Sequence, residues 1–202
     1  MKLYASPASS FARKIRVMLI EKNVKHELEI VNLWERNDLT STNPIGKVPA
    51  LKLDDGRVLI SSPLIADYID STYPSPRFIP AHADARLEVK QREALADGTM
   101  DAVSASLYET RFHDHATRSQ AWLDRQRSKI DGGFAALEKM LGNRRWCVGD
   151  EMTLADIAIA CHLGFVMLRA PHFFSRDECP NLARLWQTME ARESLKKTAP
   201  KP

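Results

Sequence analysis

Three short stretches of this 202-residue chain carry side chains whose types and spacing suit the handling of an anion. Ser9 and Ser10 follow the turn-rich Ser6-Pro7-Ala8 and precede an apolar periodic segment, so one of them caps a helix. A serine there either accepts a bond from an orphan backbone N–H or points its hydroxyl at an anion held by the helix N-terminus. Ser61 and Ser62 stand in the same relation to Pro63: Ser62 is expected at the N-cap with Pro63 in the first turn, and the free N–H groups plus the hydroxyl could also hold a carboxylate. Between them, Val48-Pro49 leads into a strand. A trans bond is the ordinary state of such a proline, whereas a cis bond would turn the Val48 N–H and C=O outward to pair with a peptide-like ligand as an added strand. His113 and His115 flank Asp114 in a polar stretch and are read as solvated surface; no metal site is expected.

The elements that must position these residues alternate over the first eighty positions. Leu3 to Ala5 is a short strand; Phe11, Ile15, Met18 and Leu19 recur at helical spacing, with Arg13, Lys14 and Arg16 assigned to other faces. His26 to Val31 alternates as a half-buried strand, and Leu33 to Ser41 is a weak helix. Ala50 to Leu53 and Arg57 to Ile60 flank Asp54-Asp55-Gly56, a hairpin signal, and Leu64, Ile65, Tyr68 and Ile69 form the apolar face of the next helix. The order is βαβαββα, a small mixed sheet with a parallel first pair and an antiparallel hairpin. Pro74, Pro76 and Pro80 then mark a break, which places a linker at 77–83 between domains 1–76 and 84–202.

Beyond the linker the strand signals stop. Leu87, Ala94, Leu95, Ala102, Val103 and Leu107 trace one long helix, and Trp122, Ile130, Phe134, Leu137 and Leu141 a second. A third opens at Thr153-Leu154-Ala155-Asp156, apolar nearly all round, and a fourth runs from about Asn181 to Ala191, giving an all-α bundle. Asp156 is read as structural, completing a capping box with Thr153, and Trp122, Trp146 and Trp186 as core or interdomain packing.

Composition narrows the function classes. Hydrophobic residues at 44% and charged residues at 27% exclude whole-chain disorder. Residues 1–80 carry 11 basic and 9 acidic groups and the remainder 18 and 17, so the net charge of +3 is spread evenly and argues against nucleic-acid or polybasic membrane binding. Cys147, Cys161 and Cys179 are odd in number and form no CxxC, so reduced thiols are expected rather than disulfides or zinc. MKLYASPASS has no apolar h-region, and the 15-residue apolar stretch Leu154 to Leu168 is short of the ~20 residues a membrane span needs, so a soluble, cytoplasmic protein is expected.

Taken together, strand–Ser6-Pro7-Ala8-Ser9–helix, Asn43-Pro44-Ile45-Gly46-Lys47-Val48-Pro49-Ala50-Leu51 with its hairpin, the Ser62 helix start and Gly149-Asp150-Glu151-Met152-Thr153-Leu154-Ala155-Asp156 resemble the glutathione transferases over essentially the whole chain. The resemblance implies a thioredoxin-like N-terminal domain, an all-α C-terminal domain and a homodimer that conjugates glutathione to a small hydrophobic electrophile. Ser9 would stabilise the glutathione thiolate, with Ser10 as the alternative one position on; Val48 would pair with the cysteinyl backbone, Ser62 would hold the γ-glutamyl carboxylate, and Lys47 would approach the glycyl end. Tyr108, Arg111 and Phe112 would line the electrophile pocket, with Glu109, Phe165, Phe173 and Phe174 as further candidates. Where the family has Glu or Asp before the Ser62 equivalent, this chain has Ser61, which implies weaker glutathione binding and admits a non-catalytic binding or scaffold protein as the alternative. The first cysteine is Cys147, which disfavours the thiol-exchange branch, and the SSCSxR run of the maleylacetoacetate isomerases is absent, so that route is not preferred.

Overall fold

The structure, a computed structural model, describes residues 1–33 and 39–200. Its first half runs β1 (Lys2–Ala5), α1 (Ser10–Glu21), β2 (Glu27–Ile30), α2 (Leu39–Thr42), β3 (Ala50–Lys52), β4 (Val58–Ile60) and α3 (Ser62–Thr72). The sheet order is β2-β1-β3-β4, with β1 parallel to β2 and antiparallel to β3, and β3 antiparallel to β4. A helical crossover permits the parallel pair and a tight turn the antiparallel one. Of the helix expected over 33–41, only Leu39–Thr42 is seen, and 34–38 lie outside the described residues. β2 is an edge strand with all four residues exposed, Leu28 at 38% and Ile30 at 53%, and not the half-buried strand that its alternation suggests.

The second half is helical: α4 (Ala83–Phe112), α5 (Gln120–Leu141), α6 (Leu154–Arg169), a 3₁₀ turn (Pro171–Phe173), α7 (Pro180–Glu190) and α8 (Glu193–Lys197). α6 lies at the centre, buried from Leu154 to Gly164. Asp156 fastens its start, accepting from the Thr153 N–H, the Thr153 hydroxyl and the Cys147 N–H, each at 2.7 Å. On α4 the buried stripe is Val89, Ala96, Met100 and Val103. Leu87, two residues and therefore about 200° from Val89, is 68% exposed rather than core. Trp122 is likewise 43% exposed, in the first turn of α5 with the Lys129 ammonium over its ring, whereas Trp146 is buried and Trp186 half-buried.

The two halves meet over α1. Arg13 and Lys14 are not on outer faces: they are 2% and 0% exposed, because the second half supplies their counter-charges. The segment 77–83 also packs inward. Phe78 and Ile79 are buried, and their N–H groups donate to Asp70 at 2.8 and 3.0 Å. The Lys22 ammonium sits 2.9 Å from the same carboxylate and donates to Tyr73 O at 2.7 Å. The Leu154 N–H closes the join on Phe78 O at 2.9 Å. The Val48–Pro49 and Ser75–Pro76 bonds are both cis.

Candidate functional site

The register gathers the three serine- and proline-bearing segments at one end of the sheet. Tyr4 pairs with Ala50, and Ala50 with Ile60. The chain therefore leaves β1 towards Ser9, enters β3 from Val48 and leaves β4 towards Ser62 all at the same end, and α1 and α3 both begin there. Two helix N-termini, each with unpaired N–H groups and the positive end of its dipole, face one small volume. No acidic residue stands in the first turn of either helix to compete for it.

At α1 the N-cap is Ser9. Its backbone is extended, and its Oγ accepts from the Ala12 N–H at 3.2 Å while its carbonyl accepts from the Arg13 N–H at 2.9 Å. Accepting with the oxygen leaves the hydroxyl proton of this half-buried side chain available to a ligand. Ser10 opens the helix and turns the other way: it is 3% exposed, with Oγ 2.8 Å from His162 Nδ1 on α6.

Behind Ser10 lies a buried polar network that joins the halves. His162 Nε2 is 2.7 Å from Asp97 Oδ1 on α4, and Asp97 also accepts from the Lys14 ammonium at 2.9 Å. Lys14 reaches Glu93 at 2.8 Å. Burial pushes the Asp97 carboxyl up, but the His162 hydrogen bond and the Lys14 charge outweigh it and hold the group at about 2, so it is ionised. A ring nitrogen facing an ionised carboxylate donates to it, so Nε2 of His162 carries a proton. The Ser10 hydroxyl is engaged with the other ring nitrogen, inside the contact between α1 and α6. Burial and partners thus separate the two serines: Ser9 keeps a half-buried hydroxyl at the helix cap, and Ser10 is tied inward to His162.

The loop before β3 is organised by Asn43, buried at 1% exposure, whose amide donates to Lys47 O at 2.6 Å and whose side-chain oxygen accepts from the Ile45 N–H at 3.2 Å. Gly46 has φ +63°, which a side chain would strain. This fixes Val48, buried, at the sheet end and leaves Lys47 exposed. At α3 the cap position falls to Ser61, with φ +75° and no side-chain cap bond, so Ser62 is the first helical residue and not the N-cap. Ser61 is exposed and Ser62 buried.

On α4, Asp97, Asp101, Tyr108 and Phe112 recur at near-helical spacing, so the face that meets Lys14 and His162 continues past Asp101 to the aromatic pair. Tyr108 lies about 10 Å along the helix from Asp101. Asp101 is pushed up by burial and by the Asp97 charge, with Lys47 and His162 opposing. Tyr108 and Phe112 are 50% and 62% exposed with ring centroids 6.1 Å apart, and Arg111 lies 6.0 Å from the Phe112 ring. Phe174 is buried against Phe134, whereas Phe173 lines a separate cleft of about 280 Å³ with Leu107, Thr110 and Leu123. His113 and His115 are exposed. Burial raises the thiols of Cys161 and Cys179 to about 12 and about 11.

Sequence reasoning missed Lys14, Asn43, Asp97 and His162. A signal existed for two of them. Lys14 is three residues from Phe11 and four from Met18, inside the apolar stripe, and His162 stands in an otherwise apolar helix; polar groups so placed are buried with partners.

Comparison with known proteins agrees with this fold. Residues 3–77 match the family description "Glutathione S-transferase, N-terminal domain", and residues 120–185 match "Glutathione S-transferase, C-terminal domain". The uncharacterized GST-like protein YibF of Escherichia coli is 36% identical over 99% of this chain and 98% of its own length. A maleylacetoacetate isomerase of Pseudomonas aeruginosa is 30% identical over 81% of this chain and 80% of its own. The crystal structure of a glutathione S-transferase from Methylobacillus flagellatus with glutathione bound superposes with a TM-score of 0.95 at 37% identity, covering 99% of both chains.

Proposed function

This chain belongs to the glutathione S-transferase family, and we propose that it binds glutathione where β1, β3 and β4 meet the N-termini of α1 and α3 and transfers the thiolate to a small hydrophobic electrophile. The observation that carries this reading is the Ser9 hydroxyl, seated at the α1 N-cap with its oxygen already accepting and its proton free. In this reading residues 1–76 hold glutathione: Ser9 donates to the thiolate, Val48 pairs with the cysteinyl backbone, Ser61 and Ser62 hold the γ-glutamyl end and Lys47 the glycyl carboxylate. Residues 84–202 supply Tyr108, Arg111 and Phe112 to the electrophile. A second copy of the chain completes a homodimer in the cytoplasm.

The energies suffice without a metal. A free thiol has a pKa near 8.5, and lowering it two units takes ~2.7 kcal/mol. A hydrogen bond to a charged group contributes about 1.5–3 kcal/mol. A helix N-terminus adds about 0.3–1 kcal/mol.

One observation favours a second reading. Ser61 gives a neutral hydroxyl where the family pattern has an acid for the glutathione amino group, which suits a non-catalytic scaffold. Calorimetry with glutathione, together with the ultraviolet absorbance of bound thiolate, separates the two. Saturable binding with a thiolate signal at neutral pH is expected, and Ser9→Ala raises the apparent thiol pKa by about 1–2 units, the equivalent of the lost bond. Absence of binding at millimolar glutathione leaves the scaffold.

A further inference from the structure

A hydroxyl at a helix cap is only as well placed as the turn that carries it, and the first turn of α1 has little of its own to hold it. Its leading N–H groups lack intrahelical carbonyl partners, as at any helix start. The buried apolar side chains of α1 begin at Ala12 and gather further along, at Ile15, Val17, Met18 and Leu19. What fastens the first turn comes from the other half of the molecule. Ser10 Oγ is 2.8 Å from His162 Nδ1 on α6, and His162 Nε2 is 2.7 Å from Asp97 Oδ1 on α4. Asp97 reaches back to α1, accepting from the Lys14 ammonium at 2.9 Å. Ser10 and Lys14 are four residues apart and lie one above the other on a single face of the helix. One anchor would leave α1 free to rock and to turn about its axis; two, about 6 Å apart along it, set both. The Phe11 ring, edge-on to His162 at 4.9 Å, braces the same turn.

We propose that His162 is a positioning residue for Ser9: through Ser10 it holds the α1 cap where the Ser9 hydroxyl meets the sulfur of glutathione, an inference that rests on the glutathione reading above. Neither His162 nor Ser10 touches the ligand, since the Ser10 hydroxyl is spent inside the helix contact at 3% exposure. The ring acts as a rigid spacer, one nitrogen fastened to α4 and the other to α1. Consecutive Cα atoms are about 3.8 Å apart, so a displacement of Ser10 passes almost whole to Ser9. The bonds Ser9 makes itself do not oppose this. Its N–H donates to Ser6 O at 3.0 Å and its Oγ accepts from the Ala12 N–H at 3.2 Å, so they orient the hydroxyl within the turn and travel with it. In the same reading α4 also carries Tyr108, Arg111 and Phe112 to the electrophile, so one helix gives both reactants their frame.

The test reads the ultraviolet absorbance of glutathione thiolate bound to the full chain as a function of pH, with affinity by calorimetry and Tm on the same samples. His162→Leu keeps bulk in an apolar helix and removes both bonds. Ser10→Ala removes only the bond to α1, and serves if the first variant does not fold. Each should raise the apparent pKa of the bound thiol by about one unit, a tenfold change in its ionisation constant, while glutathione affinity changes only a few-fold. His162→Gln offers a donor and an acceptor about as far apart as the two ring nitrogens, and should restore the wild-type value. A contact that only stabilises the fold would lower Tm and leave the thiol where it was. An unchanged thiol pKa in folded His162→Leu or Ser10→Ala therefore overturns the proposal and leaves the glutathione reading intact, as does a His162→Gln value no better than that of His162→Leu. Failure of the wild type to bind glutathione overturns the reading and the proposal together.

Discussion

Burial alone would raise the Asp97 carboxyl; the His162 N–H and the Lys14 ammonium reverse that and hold it at about 2. A carboxylate depressed below its unfolded value of about 3.9 stabilises the fold fully above that pH and loses its contribution as pH falls through the folded value. Equilibrium denaturation across pH 6 to 2 is therefore expected to show an acid loss between about pH 4 and 2 that Asp97→Asn removes, at a cost of about 3 kcal/mol near neutrality because a buried charge network loses a partner. An acid slope unchanged in the variant would show that Asp97 does not carry this loss.

Among the elements, α6 shows how one residue type decides whether two helices meet. Gly164 faces Arg13, whose Nη2 donates to Glu190 Oε1 and to Leu195 O, each at 2.9 Å; a Cβ there would lie 2.3 Å from Nη1. Helix propensity favours Ala over Gly by about 1 kcal/mol, whereas overpacking costs about 1–3 kcal/mol. The guanidinium is pinned, so overpacking wins and Gly164→Ala should melt several degrees below wild type; an equal or higher Tm would mean Arg13 swings aside. Elements with local signals were legible in the sequence: the Asp-Gly hairpin, the Thr153–Asp156 box and a serine cap at Ser9 or Ser10 each depend on neighbours in the chain. What depended on distant partners was not. Lys14 read as outward because Glu93 and Asp97 are about eighty positions away, Leu87 read as core because its phase on α4 is set by α5 and α6, and β2 read as half-buried because its place at the sheet edge is not encoded locally. At the candidate site, the family resemblance proposed Ser9 with Ser10 as the alternative, and the burial that separates the two depends on His162, 152 positions on.

For the molecule as a whole, Leu64 on α3 and Leu87 on α4 are 51% and 68% exposed, and the Asp67–Arg86 ion pair joins the same two helices, so these leucines are the apolar groups there that a proposed second copy could cover. Light scattering should give the mass of two chains, and Leu87→Asp should shift it towards one without loss of helicity; a monomeric wild type would rule the dimer out.

The buried ammonium of Lys14, drawn from the sheet half and neutralised by two carboxylates of the helical half, also bears on how freely the halves can part. Swinging the halves apart would strand three charges in a half-opened crevice before water could solvate them. The two halves are therefore tied together where α1 meets α4. A substrate held between the halves, as proposed, would have to fit the space this ion cluster leaves rather than pry it wider, so selection would act on cross-section, as a sieve does.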